Sequence, residues 1–184
     1  MKLNKLFLFG ILVTLLCPRA VRAQEKAPEK LGQANFPVTC TAAAQKQFDQ
    51  ALAALHSFWY EEALRVFTAV ADNDPGCAMA YWGIAMSIYY PLWVPPSQAT
   101  LQKGTNAIEK AKSIGAKTDR EGAYIAAIES FYKDSDKLEH RVRTLAYEKA
   151  MEQIHRQYPT DKEAAIFYAL ALNMTALSAW RCAS

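Results

Sequence analysis

Residues 44–88 read AQKQFDQALAALHSFWYEEALRVFTAVADNDPGCAMAYWGIAMSI, and this stretch decides the fold. Phe48, Ala51, Leu52 and Leu55 recur at spacings of 3, 1 and 3, which is one face of a helix expected over Ala42–His56. Thr39 or Thr41 can cap it. After the aromatic run His56-Ser57-Phe58-Trp59-Tyr60, a second helix is expected over Tyr60–Asp72, with Ala63, Phe67 and Val70 inward. Asp74-Pro75-Gly76 closes the hairpin, because proline cannot continue a helix and glycine tolerates the turn. A third helix, Ala78 to about Tyr89, carries Tyr81, Ile84, Ala85 and Ile88.

The same grammar continues outward. Pro91–Pro96 (PLWVPP) is too rich in proline to be helical. Helices are then expected over Ser97–Ile114, Thr118–Lys133, Asp136–Tyr158 and Asp161 to about Ser178. A shift of 84 residues superposes Pro75 on Pro159, Phe67 on Met151, Val70 on Ile154, Ile84 on Tyr168, Ala85 on Ala169 and Ile88 on Leu172. Apolar class and hairpin break recur together, as stacked helix pairs require, since each hairpin must bury its face against the next.

Composition agrees. The 184 residues are 52% hydrophobic with only seven glycines, which favours close-packed helices over sheet. Residues 1–23 carry Lys2, Lys5, Arg19 and Arg22 and no acid, so the formal charge of +3 becomes 17 basic against 18 acidic residues without them. A near-neutral body offers no electrostatic case for nucleic acid as a partner.

Residues 1–23 have the layout of a secretory signal peptide. Two lysines precede the apolar run Leu6–Cys17, which is too short for a lasting membrane span, and Val21-Arg22-Ala23 places small or modest residues before cleavage between Ala23 and Gln24. The expected destination is the periplasm or the exterior, with no integral membrane segment after cleavage. Residues 24–39 read as a flexible leader, 40–178 as the helical domain and 179–184 as a tail. That tail, LSAWRCAS with its preceding residues, lacks the polar capping helix of a solenoid end, so a truncated or altered terminus is expected.

Cleavage leaves Cys40, Cys77 and Cys182. In a stacked hairpin array the starts of the first and third helices lie side by side, so a Cys40–Cys77 disulfide suits an oxidising compartment; two buried thiols are the alternative. No CxxC or Cys/His spacing points to zinc.

At these positions the sequence resembles the tetratricopeptide repeat family, whose unit is a 34-residue helix-turn-helix. Ala44–Cys77 has that length, with Ala51 at the small site of the first helix, Ala63 at the close crossing, Phe67 at the large apolar site and Pro75 at the break. Tyr81, Ile84 and Ala85 begin the next unit, and Met151, Pro159 and Ala169 recur in the last. LHSFWYEEALRVF and DPGCAMAYWGIAMS are similar to a group of exported bacterial tetratricopeptide proteins of unassigned function. The resemblance implies an all-α, right-handed superhelical array of about 3.5 hairpins, and a scaffold that binds a protein or peptide on the concave face. Gln47, Gln50, Met79, Met86, Asn173 and Met174 are the candidates on that face.

Two readings of the aromatic run stay open. His56, Phe58, Trp59 and Tyr60, with Trp82 and Trp93, form either a platform for a partner, small ligand or sugar, or rings that wedge neighbouring hairpins. No catalysis and no cofactor are expected. No Gly-rich phosphate loop, GxSxG or HExxH is present; the histidines are scattered, Glu139 beside His140 points elsewhere on its helix, and Glu152 and His155 share a face of the sort common on solvated helices.

Overall fold

In a computed structural model, residues 31–92 and 94–182 are described, the last six as backbone. The expected signal segment with Ala23 and Gln24, and Trp93, lie outside the described residues. Among the described residues there are seven α-helices and no strand: α1 Ala42–His56, α2 Tyr60–Asn73, α3 Ala78–Ser87, α4 Gln98–Ile114, α5 Asp119–Tyr132, α6 His140–Gln157 and α7 Lys162–Cys182. The described residues are all-α, and the helix α7 runs past residue 178 into the expected tail.

Local chemistry sets most boundaries. Thr41 accepts a hydrogen bond from the Ala44 N–H, Ser97 from Thr100 and Thr118 from Glu121, so three helices start on hydroxyl caps. Glu61 and Glu62 lie in the first turn of α2, where the helix dipole favours them. Gly115 ends α4 with φ 86°, a conformation open to glycine.

Two boundaries differ from the periodic pattern. α3 stops at Ser87 rather than Tyr89, because the chain turns at Tyr90 (φ 49°) ahead of Pro91. α6 starts at His140 rather than Asp136, because Asp134 (φ 51°) begins a turn in which Lys137 and Leu138 donate to its carbonyl. Arg143, buried, braces that turn by donating to the carbonyls of Phe131 and Leu138 at 2.9 and 3.2 Å.

Each helix packs on the next in sequence, and α1 and α3, then α3 and α5, also pack side by side. This puts α3 at the centre. Most of it is buried, with Met79, Trp82, Gly83, Ala85 and Met86 inside and Tyr81 and Ile84 half-buried, in keeping with a helix that has no polar face. Gly83 lets α3 pass close to α2: a Cβ there would collide with the Phe67 ring. Gly104 of α4 likewise receives the ring of Tyr132 on α5, whose hydroxyl donates to the Ala85 carbonyl at 2.7 Å. Burial drives the hydroxyls of Tyr89, Tyr132 and Tyr147 well above the ordinary tyrosine range.

The packed unit begins at Leu31, not at the 39/40 boundary that composition suggests. Residues 31–39 lie against the helices, and Phe36 is fully buried between Phe48, Trp82 and Tyr124, with ring centroids at 5.8, 5.6 and 4.9 Å. Cys40 and Cys77 form a disulfide, with Cα atoms 5.0 Å apart. The 84-residue register holds at Phe67 and Met151 and at Val70 and Ile154, all buried. It parts at α7, where Ala169 and Leu172 are exposed although Ala85 and Ile88 are buried. α3 packs against α1, α2, α4 and α5, whereas among the described residues α7 packs closely on α6 alone.

Candidate functional site

The aromatic run is a helix terminus with an unusual residue in it. Phe58 N–H donates to the Leu55 carbonyl and Trp59 N–H to that of Ala54, both at 3.0 Å, the paired bonds of a Schellman end. Such an end needs a left-handed residue, usually glycine; here Phe58 takes φ 57°. A side chain in that conformation costs on the order of 1–2 kcal/mol. Phe58 and Trp59 are left 45% and 39% exposed. Tyr60 sets its ring edge-on to Tyr90 at 5.1 Å.

α7 returns to this turn from more than 100 residues away. His56 Nε2 lies 2.7 Å from Glu163 Oε2, and its ring lies 5.3 Å from that of Phe167. Between the turn, the end of α3 and α7 is an apolar cavity of about 180 Å³. Leu55, Met86, Tyr89, Phe167 and Leu170 form its body, and His56, Phe58, Tyr60, Ile166 and Asn173 its other walls. A shallower apolar depression lies on the other side of Tyr60, formed by Tyr90, Val94, Pro95 and Pro96.

The structure therefore splits the aromatic set. His56, Phe58 and Tyr60 line one cavity, and Trp59 is exposed beside them. Trp82 is not a surface ring at all: it is 1% exposed, at the centre of the ring cluster. Met79 and Met174 are likewise core, whereas Met86 and Asn173 do line the cavity. Pro91, Ile166, Phe167 and Leu170 are lining residues that sequence reasoning missed: the turn after α3 brings Pro91 there, and the return of α7 to His56 brings the other three. Glu152 pairs with Arg156 at 2.6 Å, and His155 stacks on Tyr168. Among the described residues no group of three or more His, Cys, Asp or Glu is placed to hold a metal ion.

A second, polar groove lies at the start of α5 and α7. Its charges serve the fold. Glu121, buried, accepts the Thr39 N–H at 2.5 Å, the Thr39 hydroxyl at 2.7 Å and the Lys117 N–H at 3.2 Å. Arg120 lies over the Phe36 ring at 4.0 Å and donates to the Pro37 carbonyl at 3.1 Å and to Asp161 at 2.7 Å. Asp161 also accepts the Tyr124 hydroxyl at 3.0 Å and the N–H groups of Glu163 and Ala164 at 3.0 and 3.4 Å, which caps α7.

Burial pushes the Asp161 carboxyl up, but the hydrogen bond and charge of Arg120, the Tyr124 hydroxyl and the Ala164 N–H together hold it below its ordinary value of 3.8. A carboxylate lowered in the folded state stabilises the protein at neutral pH. That contribution is lost as pH falls below 3.8 toward the folded value. Asp161→Asn is expected to cost about 2–3 kcal/mol at pH 7 and clearly less at pH 3. Urea unfolding at the two pH values measures both; equal costs would mean the charge does not matter.

No family model matches the chain, and neither a curated protein nor a solved structure does.

Proposed function

We propose that this chain is an exported, non-catalytic helical-repeat scaffold of the tetratricopeptide type, about 3.5 hairpins in a right-handed array, that holds a protein segment at the aromatic turn. The in-order packing of hairpins and the lateral packing of α1, α3 and α5 support the repeat reading. The Cys40–Cys77 disulfide suits an oxidising compartment, and no described helix is long and apolar enough to cross a membrane. The periplasm or the exterior is the proposed location.

One observation carries the binding surface. Phe58, Trp59, Val94 and Ile166 are 45%, 39%, 77% and 45% exposed around two depressions that share Tyr60. Apolar and aromatic side chains grouped on a surface in this way favour protein contact over solvent. The strained Phe58 favours the same reading, since glycine would satisfy the turn without strain.

A photo-crosslinking residue at position 59 of the mature protein, in envelope extract, is expected to give a discrete adduct. The same group at Lys110, exposed on α4, is expected to give none, and Phe58→Asp should abolish the adduct at 59. Equal labelling at both positions, or none at 59, would sink the proposal.

A further inference from the structure

We infer that the cavity between the aromatic turn and α7 is a binding site for a single aromatic ring bearing a hydrogen-bond donor, a ring of the phenol or indole class. Size comes first. At about 180 Å³ the cavity is little larger than an apolar cavity of about 150 Å³ that admits benzene. It is well below the roughly 300 Å³ at which drug-sized sites begin. One ring fits; a chain of sugars does not.

The walls suit such a ring. Phe58, Tyr89 and Phe167 offer aromatic contact and Met86 a thioether, and rings and sulfur both pack favourably on an aromatic guest. The Tyr89 hydroxyl is already committed, donating to the Met174 sulfur at 2.9 Å. No lysine or arginine is among the lining residues, so an anionic guest finds no counter-charge.

Two lining residues then decide what the ring must carry. His56 Nε2 is engaged by the Glu163 carboxylate at 2.7 Å, which places the proton of the neutral ring on Nε2 and leaves Nδ1 as an acceptor. The Asn173 amide NH₂ donates to the Ala169 carbonyl at 2.9 Å, which leaves Oδ1 as an acceptor. The two nitrogen-bearing side chains of the lining, His56 and Asn173, therefore each have an acceptor to spare. A guest with an O–H or N–H on its ring can bond one; a plain hydrocarbon ring cannot, and because Asn173 is exposed to water the difference is that of one net hydrogen bond.

The donor ring is either a free small molecule or a tyrosine or tryptophan side chain on a segment held at the turn, so the inference stands whether or not the protein-segment reading does. The experiment is a titration of the mature, oxidised protein at pH 8 with p-cresol and with toluene, read by methyl NMR of Leu55, Met86 and Ile166. Saturable one-to-one shifts are expected with p-cresol, and about fivefold weaker binding with toluene, the worth of one net hydrogen bond. Asn173→Leu keeps size and helix while removing one of the two acceptors: a preference that falls to within about twofold assigns the guest's donor to Asn173, and one that stays near fivefold assigns it to His56 Nδ1. N-acetyl-tyrosinamide separates the sources: competition with p-cresol supports a side chain from a partner, and its failure to compete supports a free ligand. No saturable p-cresol binding, or equal binding of p-cresol and toluene to the unaltered protein, overturns the inference. Neither result touches the crosslinking at position 59.

Discussion

Breaking the Cys40–Cys77 disulfide is expected to remove about 4 kcal/mol of stability and to lower the midpoint of thermal unfolding by about 12 °C. The bond closes a loop across a sequence separation of 37 residues. That loop contains the whole α1–α2 hairpin, so the reduced unfolded chain regains the freedom of both helices and their turn. The folded state gains nothing to offset it. Cys77, 1% exposed, stands immediately before the central helix α3, and Cys40 follows the segment that Phe36 pins into the core. The Thr41 N–H, next to Cys40, donates to Asp74 at 2.8 Å, so the two strands of chain are already in register without the bond. The reduced protein should therefore still fold, at lower stability. Thermal unfolding of the Cys40→Ser/Cys77→Ser double variant, beside the unaltered protein with and without reductant, measures the difference. An unchanged midpoint would place the stabilisation elsewhere, and non-reducing peptide mapping checks the pairing itself.

The parts of the fold that are legible in sequence are the parts that local chemistry determines. The range of α1 is read residue for residue, because Thr41 caps it and the apolar spacing is regular up to His56. The end of α3 and the start of α6 are not, because they depend on left-handed residues: Tyr90, of a type that gives no warning, and Asp134, of a type that adopts this conformation more often but gives it no fixed place. α3 hides its own orientation. With apolar residues on all sides it has no face to detect, so Tyr81 and Ile84 look inward by spacing but are half-buried, while Trp82 occupies the centre. Residues 31–39 mislead by composition. Two prolines nearby and several polar residues read as a leader, yet one phenylalanine and the bonds from Thr39 to Glu121, 82 positions away, hold the segment down. The cavity has the same origin. Its walls come from the turn after α1 and from α7, and the His56–Glu163 contact that joins them spans 107 positions. Periodicity reports which face of a helix is buried, and it carries no information on which distant helix buries it.

Trp82 and Trp59 should respond oppositely to the same substitution. Trp82→Ala is expected to cost about 4 kcal/mol, the range for deleting a large buried aromatic side chain. Its ring meets Phe36 at 5.6 Å, Phe48 at 6.2 Å, Tyr124 at 5.9 Å and Phe167 at 5.5 Å, so the N-terminal segment, α1, α5 and α7 all rest on it. These four groups cannot all move inward together, because each is fixed by its own helix or anchor, and the space left behind stays largely unfilled. Trp82→Phe keeps part of the contact and should cost about half as much, which preserves a folded reference if the alanine variant fails to fold. Phe36→Ala combined with Trp82→Phe should fall short of additivity, since both remove the same ring contact. Trp59→Ala should stay within about 0.5 kcal/mol of the unaltered protein, as an exposed position outside the core does, while losing whatever the turn binds. Urea unfolding followed by far-UV circular dichroism measures these variants together with Phe36→Ala alone, which the additivity test needs. A Trp82→Ala midpoint equal to that of the unaltered protein would remove Trp82 from the core and return it to the surface set of rings. A loss above 2 kcal/mol at Trp59 would make the turn a wedge between hairpins, and would take from it the binding role proposed here.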